Sequence, residues 1–449
     1  EQSPGRNAVH ARVVAVRSAA VGLVLECRGT VRWLRGPASR RRRETTTPSA
    51  SQERKSRGTR RAAEVARREV SPGAPGGRLR RRGEGARRRL STSSSSRGMK
   101  LISPRTYALT AAAESTWRPR GNGAPPMVWH PELSVPWPAT HRFAMWKFED
   151  LKERCLEEKL ATTSEFFRPA ALDDSFERAV RRAHDAAYVE AFYADRLEPS
   201  LWRRLGFTQR PDHGALVRRT RLEVAGTMLA ADLALERGLA CHLGGGTHHA
   251  HRAYGAGYTA LNDLAVTAKR FSDDDDDDEK RVLVVDLDVH QGDGTAEICA
   301  ADPRIFTFSL HCAQNYPFGF FGTDYLGHDR SDLDVALSAG TGDAAYLDTL
   351  RTHLPPLLDD HAPDLCLYDA GVDAAGVDGL GKFDLSEDGL FQRDLFVLEA
   401  CVQRRVPVAT VIGGGYDRDR HRLAHRHAIV LRAATFVWRK YFHTLLNQG

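Results

Sequence analysis

Residues 281–294 read RVLVVDLDVHQGDG, and this stretch decides the fold. A continuous apolar run over 282–285 is followed by acidic and imidazole side chains. The same pattern, an apolar run that ends in polar or glycine residues, recurs at 304–311, 364–373 and 407–416. Continuous runs of this kind are typical of strands that are buried on both faces. The sequence therefore predicts a set of buried strands after residue 280.

Segments with apolar residues at helical spacing alternate with these strands. Helices are predicted over 343–358 and 387–404, and Ser386 is placed to cap the second of them. Upstream, helical spacing indicates three more segments, 144–158, 174–195 and 216–238. Because strands and helices alternate, we expect an α/β domain with a largely parallel central sheet.

The first hundred residues differ from the rest of the chain in charge. They contain 24 Arg and 2 Lys against 7 Glu and no Asp, a net charge of +19. The whole chain carries +7, which leaves −12 for residues 101–449. The basic segment therefore dominates the overall pI of 9.1, and no sequence-specific nucleic-acid binding is expected of the acidic body.

Residues 1–104 are predicted to be a basic, Arg- and Ser-rich disordered tail or targeting segment, because they offer few apolar side chains to offset the entropy of ordering. Three interpretations stay open: an organellar transit peptide, a basic arm for the nucleus or nucleic acid, and a stretch absent from the mature protein. Residues 105–140, rich in Pro, Gly and Trp, are predicted to be an extended lead-in, and the folded domain is predicted over 141–449.

The seven cysteines are scattered, odd in number and without a C-x-x-C pair, which argues against a disulfide framework and a structural zinc site. A reducing compartment is expected: nucleus or cytoplasm, or a plastid or mitochondrion if the basic segment is a transit peptide. No membrane association is expected, since the apolar stretch 19–27 is far shorter than the roughly 20 residues of a membrane span. The acidic run 273–278 is interpreted as a solvated loop.

Polar side chains follow the predicted strands at the point where each strand ends. Ligands bind at the carboxyl ends of strands in open α/β sheets, so these groups are expected to meet in one crevice. Asp288, His290 and Asp373 offer carboxylate and imidazole groups, which suit zinc and other borderline divalent metals. Three ligands leave a fourth position for water, as in catalytic zinc sites. An aspartate after a strand is also a common cap or turn former, which is the alternative.

The glycine-rich loop 244–258, GGGTHHAHRAYGAGY, supplies the adjacent His248 and His249. Paired histidines suit proton transfer near neutral pH, provided that other groups orient the rings. Asp286 and Asp293 are the candidates for this role, since neither is needed as a metal ligand. Tyr416 follows three glycines at another strand end, where its phenol could hydrogen-bond a developing oxyanion. Ordinary surface or core histidines are the alternative.

Together, in chain order, these motifs resemble the zinc-dependent histone deacetylase family of the arginase/deacetylase superfamily. The resemblance covers roughly residues 140–440 and rests on GGGTHHAHRAYGAGYTALND (244–263), VDLDVHQGDGT (285–295), FSLH (308–311), DAGVD (369–373) and GGGY (413–416). It implies a three-layer α/β/α fold, with 141–449 as the deacetylase catalytic domain. The segments 331–343 and 141–148 are most similar to class IV enzymes and their bacterial and plant relatives.

The resemblance also implies a role for each site residue. Asp288, His290 and Asp373 match the zinc ligands, and His249 matches the general base and acid. His248 matches its electrostatic partner, Asp286 and Asp293 match the carboxylates behind the histidines, and Tyr416 matches the tyrosine that polarises the carbonyl group. In the substrate channel, Tyr258, next to Gly257, stands where the family usually has phenylalanine.

The resemblance implies one zinc ion and a nearby potassium ion. The positions that match the potassium ligands are Asp286, Asp288, His290, Ser309 and Leu310. Arginases, which share the fold, bind two manganese ions with extra aspartates, whereas Gly292 and Ala375 stand at those positions here. One metal ion in the catalytic site is therefore favoured over two.

The function implied is hydrolysis of acetyl or longer acyl groups from lysine side chains of histones or other proteins. Two alternatives remain at this point. One is hydrolysis of an acetylpolyamine or another small-molecule amide, and the other is a non-catalytic module that binds acyl-lysine.

Overall fold

A parallel sheet of eight strands lies at the centre of the described part of the chain. The structure is a computed structural model that describes residues 123–163, 166–169, 172–272, 280–317 and 330–442, and these residues belong to one structural unit. The predictions for 1–104, for the first part of the lead-in and for the acidic run 273–278 lie outside the described residues.

The strands in chain order are β1 (Met127–Val128), β2 (Phe166–Phe167), β3 (Leu239–His242), β4 (Val282–Asp286), β5 (Ile305–Cys312), β6 (Leu333–Leu337), β7 (Leu365–Asp369) and β8 (Val408–Val411). Their order across the sheet is β2-β1-β3-β8-β7-β4-β5-β6, and every neighbouring pair is parallel. Strand β1 lies in the segment predicted as a lead-in, so the sheet includes residues upstream of 141.

The helices are α1 (Lys147–Glu157), α2 (Asp174–Ala183), α3 (Ala186–Tyr193), α4 (Pro199–Leu205), α5 (His213–Arg237), α6 (Asp263–Ser272), α7 (Asp293–Cys299), α8 (Asp343–His361), α9 (Glu387–Gln403) and α10 (Arg420–Tyr441). A 3-10 turn, Val372–Ala374, follows β7. The predicted cap of α9 is confirmed, because Ser386 Oγ accepts a hydrogen bond of 3.0 Å from Gly389 N. Among the described residues, no helix is both long enough and apolar enough to cross a bilayer.

Alternate residues of the central strands pack into two separate hydrophobic cores. In β4, Leu283 and Val285 join a core with α1, α8, α9 and α10, whereas Val282 and Val284 join a core with α2 to α6. The sheet is thus covered by helices on both faces, which explains why its strands read as continuous apolar runs. The predicted three-layer α/β/α fold with a parallel sheet is confirmed.

The prediction of one continuous helix over 174–195 is wrong at residues 184 and 185, where α2 ends and α3 begins. His184 is extended at this break and its ring bridges two loop segments. Its Nδ1 lies 2.9 Å from the His251 carbonyl oxygen, and its Nε2 accepts a hydrogen bond from Asn262 N at 2.9 Å. Tertiary hydrogen bonds to the loop after β3 therefore outweigh the local helical pattern.

The sheet brings the polar strand ends together at one edge. Ser309, Asp286 and Asp369 are register partners on the neighbouring strands β5, β4 and β7. Because all three strands run in the same direction, the loops that follow them leave the sheet side by side. These loops carry the residues of the candidate site.

Candidate active site

The predicted metal ligands Asp288, His290 and Asp373 lie together just beyond β4 and β7. Their candidate ligand atoms are all within 4.8 Å of one another, and all three residues are buried. His290 Nδ1 is 2.9 Å from Asp288 Oδ1 and 3.2 Å from Asp373 Oδ2. The structure therefore brings together three groups that the sequence separates by up to 85 positions, from Asp288 to Asp373.

These three residues fit a divalent cation. Asp373 Oδ2 is buried and accepts no well-aligned hydrogen bond from the described residues. Burial and the neighbouring Asp288 raise the pKa of Asp373 to about 6, which reflects the cost of two adjacent buried carboxylates. The surrounding backbone comes close: a Cβ atom at Gly414 would lie 2.0 Å from Asp373 Oδ2. A cation would offset the negative charge where no side chain has space.

Arg393 holds the two ligand-bearing loops from behind. Its guanidinium is completely buried and donates to the carbonyl oxygens of Leu287 at 3.1 Å, Gly371 at 2.7 Å and Ala370 at 3.2 Å. Asp394 neutralises this charge, with 2.8 Å between Arg393 Nε and Asp394 Oδ1. These hydrogen bonds fix the backbone next to Asp288 and Asp373. Arg393 therefore helps to hold both candidate ligands in position.

His248 and His249 each have a carboxylate partner, as predicted. His248 Nδ1 is 2.7 Å from Asp286 Oδ2, and His249 Nδ1 is 2.6 Å from Asp293 Oδ1. The two ring centroids are 4.1 Å apart. Because each Nδ1 is paired with a carboxylate, each Nε2 remains available to groups in the pocket. His248 Nε2 lies 3.8 Å from Asp288 Oδ1.

The two histidines differ in their protonation. Burial disfavours the charged form of His248, but Asp286 and Asp288 reverse this effect and raise its pKa well above the usual value. Burial and the charge of His248 lower the pKa of His249 to about 4, against the opposing effect of Asp293. At neutral pH the pair therefore consists of a charged His248 and a neutral His249, which is free to accept a proton.

Asp263 holds the glycine-rich loop that carries the histidines. This buried carboxylate accepts hydrogen bonds from Gly246 N at 3.1 Å and Thr247 N at 2.7 Å, and from Thr227 Oγ1 at 2.6 Å. Gly246 has a φ of +83°, and a Cβ there would lie 2.4 Å from the Cα of Gly413. Only glycine fits this close approach of two loops, which places the histidine pair beside the loop of Tyr416.

Tyr416 and the predicted channel residues line the same pocket as the histidines and Asp288. Asp378 Oδ2 accepts a hydrogen bond of 2.7 Å from Tyr416 N and so holds this end of the loop. The ring centroid of Tyr258 is 6.3 Å from that of Tyr416 and 5.9 Å from that of Phe207, on which it stacks. Gly257 lies directly against His249, since a Cβ there would be 2.4 Å from the His249 ring.

The predicted potassium positions Ser309 and Leu310 are buried in β5. Ser309 is the register partner of Asp286, and its hydroxyl lies 3.1 Å from His311 Nδ1. On the other side of Asp286 in the sheet is Asp369. The role predicted for Ser309 and Leu310 stays a prediction.

Several residues at the site were not predicted from the sequence. The ring of Tyr316 stands perpendicular to that of His249, with 4.7 Å between centroids. Asp369 is fully buried near His248 and Asp286, without a hydrogen-bond partner for either oxygen among the described residues, and burial raises its pKa well above the usual value. The position of Asp369 at the end of an apolar run could have indicated from the sequence that it belongs to the site. Lys147 and Glu223 line the pocket from two helices.

The fold and this geometry define a class of protein: a three-layer α/β protein with a candidate metal site and two histidine–carboxylate pairs at the carboxyl edge of its sheet. The histone deacetylase domain model matches residues 141–431, and the chain belongs to this family. The family resemblance found in the motifs is thereby confirmed. Membership of this family indicates a hydrolase.

Individual relatives support the assignment. An uncharacterized protein of Picosynechococcus sp. is 43% identical over 313 residues, which cover 70% of this chain and 99% of the relative. Histone deacetylase 2 of Arabidopsis thaliana is 33% identical over 203 residues, 45% of this chain and 51% of the relative. The acetoin utilization protein AcuC of Staphylococcus aureus is 29% identical over 234 residues, 50% of this chain and 56% of the relative. The chain thus spans about half the length of the last two.

Proposed function

We propose that the protein is a zinc-dependent hydrolase that removes acetyl or other acyl groups from lysine side chains of histones or other proteins. The observation that carries the proposal is the shared pocket. The pocket is lined by His248, His249, Asp288, His290 and Tyr416. Asp286, Asp293 and Asp373 contact these residues from behind. Membership of the histone deacetylase family and similarity to a protein named histone deacetylase 2 support the same conclusion.

The zinc ion would be held by Asp288, His290 and Asp373. Their carboxylate and imidazole groups are ligands that suit zinc. Bound there, zinc would supply polarisation of an acyl carbonyl group and would lower the pKa of water toward about 7. The resemblance adds a potassium ion near Asp286 and Ser309 as a further proposal.

The side chains of the pocket divide the proton transfers between them. Neutral His249, oriented by Asp293, takes a proton from water as its oxygen attacks the acyl carbon. The Tyr416 hydroxyl donates a hydrogen bond to the carbonyl oxygen as negative charge develops there. The C–N bond then breaks as a protonated histidine delivers its proton to the leaving lysine nitrogen. The carboxylic acid that forms gives up its proton to the amine, so that a carboxylate and a lysine ammonium group result. His248 remains paired with Asp286 throughout.

The rival small-molecule function is favoured by one comparison, the similarity to an acetoin utilization protein. An assay of the full-length protein with an acetyl-lysine peptide, an acetylpolyamine and a free acetylated amino acid separates the two proposals. The proposed function predicts the highest kcat/KM for the peptide. A clear preference for a small amide would support the rival, and no turnover of any substrate by zinc-loaded protein would support a binding module.

Replacing Tyr416 by phenylalanine should lower kcat about 10²–10³-fold, the usual cost of losing one oxyanion donor. The zinc content should stay unchanged, because the hydroxyl is not among the proposed ligands. Steady-state kinetics with an acetyl-lysine peptide and metal analysis of the same sample check both statements. Tyr441→Phe, a tyrosine at the end of α10, is the matched control and should retain wild-type turnover. Near-normal kcat in Tyr416→Phe would remove the tyrosine from the mechanism.

A further inference from the structure

The glycine-rich loop carries a third histidine, His251, two positions after the pair at the pocket. His251 is 3% exposed, and the described residues that line the pocket do not include it. Its Nε2 lies 3.3 Å from Asp293 Oδ2, the distance of a long hydrogen bond. The other oxygen of this carboxylate, Oδ1, lies 2.6 Å from His249 Nδ1. Asp293 is therefore shared between two histidines, and of these His249 lines the pocket.

The ring of His251 is held on its other side as well. Its Nδ1 lies 3.7 Å from Glu297 Oε2, which also accepts a hydrogen bond of 2.9 Å from Arg252 N. The ring of Tyr254 stacks on it, with 4.4 Å between centroids and 22° between planes. A neutral imidazole donates through one nitrogen and a charged imidazole through both, so His251 can direct an Nε2–H group at Asp293 in either state. The ring is thus placed as a fixed donor to this carboxylate.

Asp293 is held as an anion, so it anchors the two rings and does not carry a proton between them. Burial alone would raise the pKa of Asp293, but His249 and His251 lower it well below the usual value. Asp293 begins α7, where Gly294 N also donates to Oδ1 at 3.0 Å. Without His251, the buried oxygen Oδ2 would lose a donor, and the carboxylate could turn away from His249. The orientation of a histidine base depends on the carboxylate behind it.

We propose that His251 is a positioning residue for the general base, because it holds Oδ2 of Asp293 so that Oδ1 stays on His249. It acts through Asp293 and not on the substrate. The inference rests on the proposed function, in which His249 accepts the proton of water. The alternative is that His251 only stabilises its loop, where its backbone N donates to the Tyr254 carbonyl oxygen at 2.9 Å.

Two amide substitutions separate these roles, because they replace different ring nitrogens. The amide nitrogen of glutamine stands about where Nε2 of histidine does, whereas that of asparagine stands about where Nδ1 does. His251→Gln can still donate to Asp293, so its kcat with an acetyl-lysine peptide should stay within about threefold of the wild type. His251→Asn can donate only toward Glu297, and its kcat should fall about 10–100-fold with KM unchanged, the usual cost of losing an outer hydrogen-bonded partner. A purely structural role predicts the same result for both variants.

A double-mutant cycle shows whether His251 acts through Asp293. An Asp293→Ala background has already lost the orienting carboxylate, so adding His251→Asn should change its kcat by less than about threefold. A loss of folding would instead lower kcat in both backgrounds. The matched control is His213→Asn, since His213 packs on aromatic rings, lies 3.8 Å from a carboxylate oxygen of Asp195 and is in a separate part of the fold, at the start of α5. This control should keep the kcat of the wild type.

Circular dichroism of the full-length variants shows whether each is folded. If His251→Asn does not fold, His251→Phe takes its place with the same expected results, because phenylalanine keeps a ring for stacking on Tyr254 and removes both nitrogens. Equal kcat for His251→Gln and the variant without the donor, or an undiminished effect of that variant in the Asp293→Ala background, would overturn the inference and leave the proposed function standing. Absence of turnover by the wild type with every acyl peptide would refute the proposed function, and the inference with it.

Discussion

Replacing Asp373 by alanine should remove both the metal ion and the turnover. The residue offers one of three candidate ligands, and its other oxygen accepts a hydrogen bond of 3.0 Å from Val289 N, which links the loops after β4 and β7. Loss of a hydrogen-bonded partner of a metal ligand already costs about 10–100-fold in affinity, so the loss of a ligand should cost more than about 100-fold. Metal analysis after dialysis and a turnover assay with acetyl-lysine peptide measure the two effects.

Asp360→Ala is the matched control, because Asp360 is an exposed aspartate in α8. It should keep the metal content and turnover of the wild type. Circular dichroism of both variants shows whether the fold is retained. Wild-type metal content in folded Asp373→Ala would contradict the assignment of the ligand set.

Replacing His249 by alanine should lower kcat about 10²–10⁴-fold, the contribution typical of a positioned general base. The residue is neutral near pH 7, because burial and the charge of His248 lower its pKa to about 4, and its Nδ1 is held by Asp293. The metal content should be unchanged, since His249 is not in the ligand cluster. Steady-state kinetics and metal analysis of one sample separate loss of the base from loss of the metal.

His421→Ala, an exposed histidine in α10, is the control for His249→Ala and should behave as the wild type. Turnover of His249→Ala within tenfold of wild type would assign the general base to another residue.

The fold could be predicted where strands are buried on both faces. The apolar runs of β4, β5, β7 and β8 stand out because helices cover both sides of them. The two-residue strands β1 and β2 are too short for any periodicity, and the pairing of β1 with β2 and with β3 depends on contacts distant in sequence. The break at His184 was missed for a similar reason, since tertiary hydrogen bonds cause it.

The candidate site could be predicted to the extent that its residues follow strands. Parallel strands bring their carboxyl ends to one edge, so Asp288, His290 and Asp373 could be expected to meet. Lys147 and Glu223 reach the pocket from the helices α1 and α5, whose place over the sheet edge is set by packing. One signal was available: Arg219 and Glu223 lie one turn apart within the buried stripe of α5, where charges need partners.

The central claim, that one zinc ion held by Asp288, His290 and Asp373 supports amide hydrolysis, is tested most directly by metal titration. Full-length protein is freed of metal with a chelator, and turnover of an acetyl-lysine peptide is measured as zinc is returned. We expect no turnover without metal and full turnover at one zinc ion per chain. Undiminished turnover of the metal-free protein, or a rise that continues to two ions per chain, would contradict it.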